Sequence, residues 1–234
     1  MDCYRKKEDL DEYSLCEKSN RRPSRGNLAG DALCYWEHRE GEAAGSRDRK
    51  MKSSIREETY REIYSALNEV SPVAFDCGMI CGQACCEVVH GEVETGMFLL
   101  PGEEKVHDRY DPWLTWSSVP VEECSYPDTW KGRVYFVQCR GPEHCRREKR
   151  PIQCRTYPVL PHMKEDGTLC LVYNDIYLRY SCPLIETQTP LQETFLRATL
   201  SAWRTLTRDP LIRDMVEADS MDRGQMVEIV WEEA

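Results

Sequence analysis

Four cysteines fall within ten residues of this chain, in the segment DCGMICGQACCE: Cys77, Cys81, Cys85 and Cys86. Thiolates that close in sequence reach one inorganic centre when a loop wraps around it. Gly78 and Gly82 each follow a cysteine, where glycine permits left-handed backbone and lets N–H groups approach sulfur. A continuous helix with cysteines at i, i+4 and i+8 is the plainer alternative, and two glycines in that turn disfavour it. The spacing is neither the C-x2-C pair of zinc ribbons nor the bacterial ferredoxin run. The C-x3-C-x2-C triad of radical enzymes is absent too, because Ala84 stands where it would be completed.

A second block, CRGPEHCRREKRPIQCRTYP, supplies Cys139, Cys145 and Cys154, and Cys182 follows in YSCPLI. Together these make eight candidate metal ligands. They could fill two four-thiolate sites, one larger site, or one four-thiolate site beside four structural cysteines. Six basic residues crowd the second block: Arg140, Arg146, Arg147, Lys149, Arg150 and Arg155. In an acidic protein this is a local inversion of sign, suited to offsetting a negatively charged thiolate centre or to holding an anionic cofactor. Arg155, next to Cys154, is the expected cofactor-binding residue. His144, His162, Asp76, Glu87, Glu103 and Glu104 are weaker ligand candidates, for which surface or capping roles are the simpler reading.

The chain has 234 residues, 13 cysteines and a formal net charge of −10. That charge makes non-specific nucleic-acid binding an unexpected role. There is no apolar leader and no run of about 18 apolar residues, so the expected location is the cytoplasm, with no membrane span. In a reducing compartment disulfides are rare, and clustered thiols point to metal. Thiolate-only ligation suits an iron–sulfur cluster, the favoured cofactor because cysteine far outnumbers histidine, or zinc. Cys170 lies in a strand-like run and reads as core. The aromatics Trp113, Trp116, Tyr126, Trp130, Tyr135 and Phe136 could shield a cluster, though ordinary core is the favoured reading.

These motifs need positioning elements. Residues 1–54 are charge-dense and aperiodic, and read as a poorly ordered lead with at most a short helix in DEYSLCEKS. Ser53 and Ser54 are expected to cap a helix over IREETYREIYSALNEV, whose stripe is Ile55, Tyr60, Ile63, Tyr64, Leu67 and Val70. RVYFVQC and TLCLVYNDIYL read as strands. The stretch VHDRYDPWLTWSSVPVEECSYPDTW shows little periodicity. Thr189-Pro190 is an expected helix start, with Leu191, Phe195, Leu196, Leu200 and Trp203 on one face. Asp209-Pro210 opens LIRDMVEADS, and RGQMVEIVWEE is ambiguous. The expectation is an α+β fold: an irregular, loop-rich, metal-centred domain over 55–187 with short strands, flanked by an N-terminal helix. Two or three C-terminal helices over 188–234 pack on it.

DCGMICGQACCE, GMFLLPGEE, CRGPEHCRREKRPIQCRTYP and YSCPLI, in that order, resemble the YkgJ-like cysteine-cluster family. Members of that family are described as zinc- or iron-chelating domains, and one is a region of flagellin lysine N-methylase. The resemblance covers about residues 56–187. It implies a metal role for Cys77, Cys81, Cys85, Cys86, Cys145 and Cys154, and more loosely for Cys139 and Cys182. Two functions follow as expectations. One is a metal-binding protein serving electron transfer, an accessory role or metal handling, with a protein or peptide partner. The other is a metal-dependent, methylase-like enzyme that modifies a protein or peptide, although no Gly-rich nucleotide motif is present.

Overall fold

The computed structural model describes residues 51–86, 96–175, 180–224 and 226–233. The expected tail and its short helix therefore lie, up to residue 50, outside the described residues, as does Glu87.

Helix α1, Glu57–Asn68, forms because its apolar residues recur at helical spacing and bury Tyr60, Ile63, Tyr64 and Leu67 on one side. Ser53 and Ser54 do not cap it; its N-cap is Arg56. The two serines donate instead to Asp209 Oδ2, at 2.9 Å from Ser53 Oγ and 2.8 Å from Ser54 Oγ. Asp209 is the N-cap of the last helix, where Oδ1 accepts from the amides of Leu211 and Ile212. One carboxylate thus caps one helix and anchors the approach to another.

Beyond α1 the chain makes a single short helical turn, α2, Gly78–Cys81. Strand β1 (Met97–Phe98), β2 (Leu114–Pro120) and β3 (Arg133–Cys139) form an antiparallel sheet in the order β1-β3-β2. Leu114 faces Cys139 at one end of the β2–β3 ladder and Pro120 faces Arg133 at the other. Gly96 enters this sheet where no side chain fits: a Cβ there would stand 2.3 Å from Phe136 Cζ. A short helix α3, Ile152–Thr156, leads to β4 (Val159–Met163) and β5 (Leu169–Tyr173). These pair with the C-terminal strand in the order β4-β5-β6, β6 being Ile229–Trp231.

Three helices complete the chain: α4 (Pro183–Glu186), α5 (Glu193–Leu206) and α6 (Pro210–Arg223). Helix α5 starts later than Thr189-Pro190 implied. The Thr189 amide is held by the Leu184 carbonyl at the exit of α4, and Gln192 N donates to Pro72 O, so Gln192 becomes the N-cap. Helix α5 packs on α1 and β5, and α6 packs on β4. One apolar core runs through all of them, including Tyr60, Trp130, Ile152, Leu171, Phe195, Trp203 and Ile212. Trp130 stacks on Tyr126 and donates to the Leu211 carbonyl, which ties the first sheet to α6. The fold is α+β and loop-rich. No helix among the described residues is long and apolar enough to cross a membrane.

Candidate metal centre

The first cysteine block is built by backbone breaks. Cys77 is the N-cap of α2 and Cys81 its last residue. Gly82 then takes the left-handed conformation, φ 62°, and stops the helix. Gln83 follows at φ 65°, and Ala84–Cys86 form one 3-10 turn. Gly78 is helical, contrary to the expected positive φ; its missing Cβ makes room for Gln83 Cγ, which would lie 2.6 Å from it. Asp76 accepts from the Gly78 amide at 3.0 Å and acts as a local cap.

The second block lies alongside. Cys139 ends β3, Cys145 follows the 3-10 turn Pro142–His144, Cys154 sits on α3, and Cys182 is the N-cap of α4. Seven of the eight candidate cysteines are half-buried and Cys85 is exposed; all are free thiols. Cys77, Cys81, Cys85 and Cys182 line one narrow cleft, walled by Tyr157, Tyr180 and Leu184. Its volume is about 20 Å³, little more than a water occupies. The Cys85 and Cys86 sulfurs are 3.7 Å apart, in contact but far from the 2.05 Å of a bond. The Cys86 and Cys145 thiols lie near enough to perturb each other. Cys154 feels Cys86, Cys139 and Cys145, and its sulfur touches Met97 Sδ at 3.5 Å.

Arg150 sits among these thiols, with Nε 3.0 Å from Cys145 Sγ. Burial pushes the Cys154 thiol up, and crowding by the neighbouring sulfurs adds to it. Cys86 reaches about 12: its contact with Cys145 acts to lower it, but Cys85 and burial prevail. Cys77 is raised by burial, then by Asp76 and Cys81. Burial and crowding thus keep these thiols protonated. Among the described residues, no three His, Cys, Asp or Glu side chains stand at metal-holding geometry. The donor set is by residue type that of a thiophilic metal, but the sulfurs do not stand in ligating geometry here.

The other expected site residues are placed as follows. Arg155 is buried against α1, stacked 4.1 Å over the Tyr64 ring and bonded to Asn68 Oδ1 and the Arg150 carbonyl. Its Nη2 lacks a partner among the described residues. Lys149 pairs with Asp111, and Arg147 donates to the Val70 carbonyl. Glu103 is fully buried, and its carboxylate accepts from Tyr64 Oη at 2.6 Å, Ile152 N at 2.7 Å and Leu100 N at 2.9 Å. His107 Nε2 meets the same Tyr64 hydroxyl at 2.8 Å. His144 is exposed, and buried His162 lies 3.4 Å from Arg223. Cys170 is buried in the second sheet. Of the six basic residues expected to offset thiolate charge, Arg150 rather than the favoured Arg155 meets a candidate thiol; sequence reasoning named Glu103 and Tyr64 separately and missed their network with His107.

Compared with known protein families, curated proteins and solved structures, the chain matches none.

Proposed function

We propose that this is a metal-binding protein whose clustered thiolates hold an iron–sulfur cluster, the favoured cofactor, or zinc. The observation that carries the reading is that cysteines distant in sequence lie near one another, Cys77, Cys81, Cys85 and Cys182 along one cleft and Cys85 against Cys86, with the Arg150 guanidinium on Cys145. Crowding half-buried thiols makes each harder to deprotonate, and a bound cation would offset that cost. The bound centre would act in electron transfer, as an accessory group or in metal handling. Phe75, Met79 and Ile80 are exposed beside the first block and support a protein or peptide partner.

The enzyme alternative needs substrate room next to the metal. The cleft beside the thiols admits little more than a water, so the binding role is the better supported.

Anaerobic purification with metal analysis and an absorption spectrum tests the proposal. A cluster gives iron, sulfide and broad absorbance near ~400 nm; zinc gives a colourless protein with stoichiometric metal. Cys81→Ser lowers metal content and thermal stability together. A compact, cooperative chain with neither metal would overturn the assignment.

A further inference from the structure

We propose a separate ligand site: a small cavity that binds a free amino acid of glycine or alanine size, with the carboxylate on Arg109 and Arg133 and the ammonium on Glu104. The cavity has a volume of about 100 Å³ and lies between the turn that follows β1 and the strands β2 and β3. It shares no lining residue with the thiol cleft, so its ligand is independent of any metal at the cysteines.

Positive charge without a partner supplies the first reason. The chain has a net charge of −10, and Arg61, Arg197, Arg204, Arg213 and Arg223 each pair with a carboxylate. Arg109 and Arg133 line this one cavity, and among the described residues neither has a carboxylate partner. Both are nonetheless held in place. Arg109, at the exposed rim, stacks 4.4 Å from the Tyr135 ring centroid and 5.3 Å from that of Trp116. Those contacts use the face of the guanidinium and leave its N–H edge for an acceptor. Arg133 donates from Nε to Ser118 Oγ at 2.9 Å and from Nη2 to the Ser118 carbonyl, which leaves Nη1 for a ligand. Ser118 Oγ accepts in that bond, so its own proton remains to be donated. Two fixed guanidiniums and a hydroxyl form a donor set for a carboxylate.

Glu104 supplies the second reason. It lines the same cavity, and among the described residues no ion pair joins it to either arginine. An oxyanion without a positive group, such as phosphate, would meet this carboxylate as a like charge. A molecule carrying both signs finds a complement at each end. Size narrows the choice further. A cavity of about 150 Å³ holds benzene, so about 100 Å³ admits a smaller molecule and excludes amino acids with long side chains. The buried Leu99, Leu100 and Val134 form its apolar wall, which thins the water around the ligand and strengthens the charge contacts.

Isothermal titration of the full chain, isolated anaerobically, tests the site with glycine and alanine as probes. One of them binds saturably, one molecule per chain, with a Kd tighter than about 1 mM. Acetate and methylammonium, each carrying one half of the ligand, bind at least about tenfold more weakly, as does inorganic phosphate. Arg109→Ala lowers amino-acid affinity about tenfold or more. Glu104→Gln lowers it as much but leaves the affinity for acetate equal or higher, a reversal that loss of folding would not produce. Arg133 also ties β3 to β2 through Ser118, so its variant is Arg133→Lys, with circular dichroism to confirm the fold. No saturable binding of glycine or alanine in that range overturns the proposal. Acetate or phosphate binding as tightly as the amino acid overturns it too, as does an affinity that Glu104→Gln and Arg109→Ala leave unchanged. Each of these results leaves the metal-binding reading intact.

Discussion

Replacing Arg150 isolates the electrostatics of the thiol cluster. Its Nε lies 3.0 Å from Cys145 Sγ, and burial and nearby thiols surround the rest of the group. Opposite unit charges about 4 Å apart attract by about 4 kcal/mol at an effective dielectric of about 20. Arg150 is only half-buried, so screening reduces that figure toward the about 1.5–3 kcal/mol of a hydrogen bond to a charged group. At about 1.4 kcal/mol per decade, Arg150→Gln weakens metal affinity roughly tenfold to a hundredfold. Arg150→Lys keeps the charge but loses the planar fork, and falls between. The assay is anaerobic competition against a chelator of known affinity, with circular dichroism to confirm folding. An affinity of Arg150→Gln within about twofold of wild type, in a folded protein, would refute the role given to this guanidinium.

Other outcomes follow from the same structure. Glu103→Ala strands three buried donors and costs at least about 3 kcal/mol in denaturant unfolding; a loss below about 1 kcal/mol contradicts the network. Gly96→Ala drives a methyl into Phe136 and the Val137 carbonyl and costs about 1–3 kcal/mol, read by thermal melting. His107 is lowered to about 4 by burial, then by Arg155 and Lys149, with Asp111 opposing. A depressed histidine contributes stability that is present above its unfolded pKa of about 6.5 and is lost as pH falls toward 4. Unfolding free energy therefore declines across that window, and His107→Gln flattens the decline; an unchanged slope contradicts the assignment.

Much of the scaffold was legible in the sequence because burial follows periodicity. The stripe from Tyr60 to Leu67 became the buried face of α1, and RVYFVQC became β3 residue for residue. Strand β2 was hidden: of its seven residues only Leu114 and Val119 are buried, so no alternation shows. Pairing along the whole of β3 makes it a strand, a cross-strand effect that its own residues do not carry. Strand β1 has two residues, too few for any pattern. β4 carries Pro161, a residue that argues against a strand unless it lies at an edge, as β4 does.

At the candidate site, residue type and spacing singled out the thiols, but not which of them face one another. That depends on one left-handed glycine and one 3-10 turn. Arg150 and Arg155 differ for a similar reason. Arg150 lies in extended chain before Pro151 and meets Cys145, while the turn of α3 carries Arg155 to the Tyr64 ring. Two arginines five residues apart look alike in sequence and are separated only by where the helix begins.

X-ray absorption at the metal edge of the anaerobically isolated chain reads the donor atoms themselves. The expected result is a shell of sulfur alone, near 2.3 Å. A shell of nitrogen and oxygen near 2.0–2.1 Å, or no bound metal to measure, contradicts the claim that these cysteines gather around an inorganic centre.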